Sequence, residues 1–199
     1  MRDFFSDTEA VDTIPLKLVV YLALLAATLF LTLHAWQTVN PALEDAEIKS
    51  QVETASLSIL SIQHGYARNS VDNHSSSGSI CTLEFSLPAS VRYLSFGVDP
   101  DPECNGQLND SEWSMENNTL LYQYKNGVKN RIFLEGKPVH FIKGYRNSGG
   151  IWTPMVNQEN NETNSSLERI GVVIEYPVSG EYIFEMVTQD GRKYTMSHF

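Results

Sequence analysis

The sequence predicts an α+β protein: an N-terminal transmembrane helix continuing as an amphipathic helix, packed on an antiparallel β-sheet or small β-sandwich head. Three observations carry that expectation. An uncharged, largely apolar run extends from Leu18 to Trp36. A stripe of apolar residues at helical spacing follows it, and the remainder alternates with the period of strands, broken by Asn-Gly and Asp-Gly turns.

The apolar run comes first. No formal charge lies between Lys17 and Glu44. About 20 apolar residues at 1.5 Å each cross the hydrocarbon core of a bilayer. We assign residues 1–13 to a polar N-terminal segment and 14–36 to a transmembrane helix, with Lys17 at its edge and Trp36 and Tyr21 as interfacial aromatics. The run exceeds the 7–15 apolar residues of a cleavable signal, and the segment before it is acidic, so a retained signal-anchor is expected. Arg2 and Lys17 precede the span, and the nearest cation after it is Lys49. That bias places the N-terminus in the cytoplasm and the C-terminal domain outside, at the cell membrane.

The amphipathic helix is assigned to 40–65. Pro41 is expected to kink or restart the helix, with Asn40 as a new cap and Gly65 as the stop. Ile48, Val52, Ala55, Ile59 and Ile62 recur every three or four residues and share one face. That face can pack on the chain's own sheet or on the same helix of neighbouring subunits. Residues 66–79 are expected as a polar linker and 80–199 as the β-rich domain, with about eight strands. Asn126-Gly127 is read as a type I′ hairpin turn, and Asp190-Gly191 as a second short turn.

The net charge of −10 argues against nucleic acid as a partner, because phosphate binding needs a Lys/Arg excess. Cys81 and Cys104 are expected to form a disulfide outside the cytoplasm, worth about 3–4 kcal/mol of chain entropy. Five Asn-x-Ser/Thr acceptors, at Asn73, Asn109, Asn117, Asn161 and Asn164, are candidates for glycosylation and favour the same side of the membrane. Asp99, Asp101 and Glu103, with Asp110 and Glu112, form the acidic loop best suited to calcium, which takes six to eight oxygens. The EF-hand spacing is absent, a solvated loop is the simpler reading, and no cofactor is expected. Trp113 and Trp152 are candidates for an aromatic ligand platform. His34, His64, His74, His140 and His198 show no metal-ligand spacing, and no nucleophile–base motif appears, so no enzyme is expected.

The layout resembles archaeal type IV pilin-like proteins. The resemblance rests on the Glu9-Ala10-Val11-Asp12-Thr13-Ile14 leader before the apolar run, the amphipathic continuation, and Leu83-Glu84-Phe85-Ser86-Leu87-Pro88 at the opening of the head. It implies a membrane-anchored structural or cell-envelope assembly protein that meets the bilayer and other pilin-like subunits through its N-terminal helix. Asp7, Glu9 and Asp12 stand where a basic processing junction is usual, and Pro15 and Lys17 enter the segment that packs in filament cores. An accessory subunit retained in the membrane therefore fits better than a major filament subunit. The alternative is a membrane-anchored β-sandwich module binding a sugar, peptide or envelope polymer.

Overall fold

The computed structural model describes residues 9–72, 75–108, 113–155 and 171–199, with the side chains of 9–15 and 38 outside that description. Among these residues one helix, α1 (Glu9–Ile62), is followed by ten strands: β1 (Arg68–Asn69), β2 (Ile80–Phe85), β3 (Val91–Asp99), β4 (Ser114–Tyr124), β5 (Lys129–Phe133), β6 (Phe141–Arg146), β7 (Trp152–Pro154), β8 (Val172–Glu175), β9 (Gly180–Gln189) and β10 (Arg192–Ser197). Two compact units result, Met1–Ala46 and Glu47–Phe199. The boundary falls within α1, whose last turns therefore belong to the head.

Pro41 does not interrupt α1, which corrects the expected break at residue 40. A proline removes one backbone donor, yet the helical turns on both sides retain theirs, and Asn40 donates its side-chain amide to Glu44 Oε1 at 2.9 Å instead of capping a new start. The expected linker 66–79 is also corrected. It contains β1, which pairs with β9 in parallel through Arg68↔Val187 and Asn69↔Thr188.

The first sheet runs β7-β6-β10-β9, and the far edge of β9 is shared by β2 and β1. The second runs β5-β4-β3-β8 and is antiparallel throughout. The first sheet is mixed rather than antiparallel, because β10 pairs with β6 in parallel, Thr195↔Phe141 through Ser197↔Lys143. Long intervening chain allows that pairing where a short turn would forbid it. The Asn126-Gly127 hairpin joins β4 and β5 as expected in place but not in type. Tyr124 N–H donates to Val128 O at 2.9 Å, and only Gly127 takes a left-handed φ of 89°. That is a three-residue loop with a glycine bulge. At Asp190-Gly191 both residues have positive φ, 51° and 76°, as a type I′ turn requires.

The core lies between the sheets and the last turns of α1. Ile48, Val52, Ala55, Ile59 and Ile62 are buried together with Leu83 and Phe85 of β2, Leu94 and Phe96 of β3, Leu120 and Tyr122 of β4, Phe141 of β6 and Phe184 of β9. Phe96 of the second sheet tilts against Phe184 of the first at 4.8 Å between ring centroids and against Phe141 at 5.7 Å. Gly97 makes that approach possible: at φ 74° a Cβ would meet the Phe141 ring at 2.8 Å. A smaller cluster of Ile142, Val187, Tyr194 and Met196 occupies the other face of the first sheet.

Ile59 is fully buried and Leu57, on the opposite side of α1, is 68 % exposed. Ile59→Ala is expected to destabilise the head by about 3 kcal/mol, and Leu57→Ala by no more than about 0.5 kcal/mol. Urea unfolding of the full chain in mild detergent, followed by tryptophan fluorescence, measures both.

Candidate functional site

Every described side chain from Leu16 to Gln37 is exposed, and apart from Lys17, His34 and Gln37 the large ones are Leu, Val, Phe, Tyr and Trp. Monomeric soluble domains rarely leave so large a contiguous apolar surface in water. The threonine hydroxyls within it are satisfied by the helix itself. Thr28 Oγ1 donates to Leu25 O and Thr32 Oγ1 to Thr28 O, each at 2.8 Å. His34 stacks on Phe30 with rings 6.2 Å apart. Such internal satisfaction is what a helix needs where no water is present. By length and composition α1 is able to cross a membrane.

Two buried charge nodes organise the head. Glu185, in the middle of β9, is 3 % exposed. Arg68 of β1 donates Nε to its Oε1 at 2.8 Å and a guanidinium NH2 to its Oε2 at 3.0 Å. Gly78 N–H donates to Oε1 at 2.8 Å, and His198 Nε2 lies 3.0 Å from Oε2. The other face of the node is closed by Trp152, which stacks on His198 at 4.8 Å and accepts the Arg68 guanidinium on its backbone oxygen at 2.8 Å. Gly78 has to be glycine, since a Cβ there would sit 2.0 Å from Met186 O. Burial alone would raise the Glu185 carboxyl; the hydrogen bonds from His198, Arg68 and Gly78 outweigh it and lower the group from 4.5 to about 2.

The second node is Asp99 at the end of β3, with no exposed surface. Lys129 donates to both its oxygens at 2.9 Å, and Arg131 donates to Oδ2 at 2.6 Å. Lys129 also reaches the Asp101 carbonyl. The Asp101 carboxylate accepts the backbone N–H of Asn105 at 2.8 Å and of Gly106 at 3.1 Å, folding the loop back on itself. Burial, then the Asp99 and Asp101 charges, push the neighbouring Tyr93 phenol upward.

The residues singled out by sequence fall as follows. The helix face from Ile48 to Ile62 is buried in the chain's own core. The expected disulfide is not formed: Cys81 and Cys104 are both free thiols. Cys81 points into the core from β2, and desolvation raises its thiol to about 11, whereas Cys104 is exposed in the loop after β3 of the other sheet. The oxygens of Asp99 and Asp101 that were to hold calcium are occupied by protein donors, and Glu103 is exposed. Asp110 and Glu112 lie outside the described residues, as do Asn73, Asn109, Asn161 and Asn164. Asn117 is exposed on an irregular stretch of β4, where pairing slips between Phe96↔Leu120 and Val98↔Met115. Trp113 and Trp152 do not share a sheet: Trp113 precedes β4 of the second, and Trp152 belongs to β7 of the first. Sequence reasoning missed Arg68, Glu185, His198, Lys129 and Arg131. One signal was available: Glu185 interrupts the apolar run Tyr182 to Val187.

No family model, curated protein or solved structure matches the chain.

Because the folded carboxyl of Glu185 lies below its unfolded value, its contribution is complete above about pH 4.5 and is lost as pH falls toward 2. The stability gap between wild type and Glu185→Gln is therefore expected to shrink by about 3 kcal/mol between about pH 5 and pH 2. Denaturant unfolding across that range measures it, and an unchanged gap would contradict the assignment. Asp99→Asn is expected to cost about 3 kcal/mol or more by leaving the buried Lys129 ammonium without its counter-charge. Millimolar calcium is expected to leave the wild-type melting temperature unchanged, which differential scanning fluorimetry reads directly.

Proposed function

We propose that this chain is a single-pass, membrane-anchored accessory protein of the cell envelope with a pilin-like layout and a structural or assembly role. The observation that carries the reading is the surface of α1, exposed on all sides from Leu16 to Gln37 and apolar from Leu18 to Leu33 apart from Thr28 and Thr32, followed in the same helix by the stripe that enters the head core. Hydrocarbon is the natural solvent for the first part. Neighbouring pilin-like helices are the second candidate cover, since van der Waals packing drives association once helices are in lipid. The positive-inside bias of Arg2 and Lys17 supports a cytoplasmic N-terminus and an extracellular head. The exposed sequon at Asn117 is compatible with glycosylation on that side.

The test is fractionation of the full chain expressed in a host with an envelope. The protein is expected to stay in the carbonate-washed membrane pellet, with an intact or Met-trimmed N-terminus by mass spectrometry and a head cleaved by external protease. The double substitution Leu24→Arg and Leu25→Arg, at about 2.5–3.5 kcal/mol per charge, is expected to reduce membrane retention. A mature N-terminus near residues 10–15 in sheared extracellular material would instead mean processing and filament incorporation. Release of the wild type by carbonate would refute the anchor.

A further inference from the structure

β2 is an edge strand whose outer side is open. Among the described residues it pairs only with β9, Ile80↔Glu185 through Phe85↔Gly180. Met186 N–H donates to Ser79 O, so the odd-numbered residues of β2 turn their backbone groups toward β9. The N–H and C=O of Ile80, Thr82 and Glu84 therefore point to the free edge. Ser86 continues that series and shows what an occupant does: Gln51 of α1 accepts its N–H at 2.7 Å and donates to its C=O at 3.3 Å, imitating a paired strand. Among the described residues no group does the same for Ile80, Thr82 or Glu84.

A groove of about 310 Å³ runs along this edge, walled by Ser50, Gln51, Thr54 and Ser58 of α1 on one side and Thr82 and Glu84 on the other. Apart from Gln51 the helix wall consists of small residues, and the hydroxyls of Thr54 and Ser58 bond to their own helix carbonyls, leaving space rather than competing donors. The charge is one-sided. Glu84 and Glu181 stand directly opposite each other on adjacent strands, both exposed, and Glu47 lies one turn from Gln51 on the same helix row. Like charges placed opposite one another are unfavourable unless a cation joins them.

We propose that this groove takes an extended segment of another protein, added as a strand to β2, with Lys or Arg at alternate positions beside Glu84 and Glu181. A second copy of this chain is a poorer occupant, because it brings the same carboxylates and a net charge of −10 to the contact. The inference concerns the head alone and does not depend on what covers the apolar helix.

The probe is fluorescein-labelled acetyl-Thr-Lys-Thr-Lys-Thr-amide, titrated by anisotropy against the full chain in neutral detergent. Saturable binding is expected. Thr82→Pro removes one edge donor without touching the β9 ladder and is expected to weaken binding about tenfold. Glu84→Gln with Glu181→Gln is expected to weaken it several-fold and flatten its salt dependence. The same peptide with alternate amides N-methylated keeps its charge and is expected not to bind, which decides the matter on wild-type protein even if Thr82→Pro fails to fold. Equal binding of the methylated peptide, equal binding by a folded Thr82→Pro, or no binding by wild type would overturn the proposal. So would a concentration-dependent dimer abolished by Thr82→Pro, which would give the edge to a second copy.

Discussion

Burial of Ile48, Val52, Ala55, Ile59 and Ile62 is the contact on which the head depends. Each sheet presents an apolar face, and the two meet through Phe96, Phe141 and Phe184. The helix stripe joins that same core, beside Leu83 and Phe85 of β2. Full burial of the four larger aliphatic residues contributes about 6–12 kcal/mol by area, an upper figure because unfolded chains already hide some surface. A domain's whole net stability is about 5–15 kcal/mol. The last turns of α1 are thus a structural member of the β-domain, which explains why the compact unit begins at Glu47 and not after the helix ends.

The buried charges do a different job from the apolar core. Taking a carboxylate out of water costs several kcal/mol, and a paired cation returns that cost without a large surplus. What the nodes secure is placement. Glu185 gathers β1, the Gly78 segment, β7 through Trp152 and the tail at His198 around one point of β9. Asp99 gathers β5 and the loop following β3. These are the segments with few large apolar residues of their own. A two-residue strand such as β1 has no hydrophobic reason to lie where it does, and Arg68 supplies an electrostatic one.

The same distinction explains what the sequence could disclose. The apolar run, the 4-3 stripe and the two Gly-containing turns are local patterns, written in neighbouring residues, and the elements they mark are present. Partnerships between distant residues leave no such pattern. Nothing near Arg68 signals a carboxylate 117 positions away. The acidic loop looked like a cation site because its counter-ions, Lys129 and Arg131, arrive from β5 through the hairpin. The two cysteines looked like a pair because their number is even, but one faces the core of the first sheet and the other emerges from the second. Pro41 misled for a related reason: its effect on a helix depends on whether flanking hydrogen bonds survive, which composition does not state.

Sheet edges impose a separate constraint, since each exposes unpaired backbone that another chain is able to capture. The head blunts most of them. β7 is three residues long and ends at Pro154, β1 is two residues long, and β8 is four. β5 carries Lys129 and Arg131, both engaged with Asp99 across the sheet. β2 is six residues long, contains no proline and no cation, and is capped at one end only, by the amide of Gln51. The helix that completes the core also stands alongside this edge, so its row of serines and threonines determines how much of the edge remains reachable. A bulky residue at Thr54 would close the groove with no loss to the buried stripe, because Val52 and Ala55 face the core while Thr54 does not. The openness of β2 is therefore a property of the helix surface, separable from the packing that holds the head together.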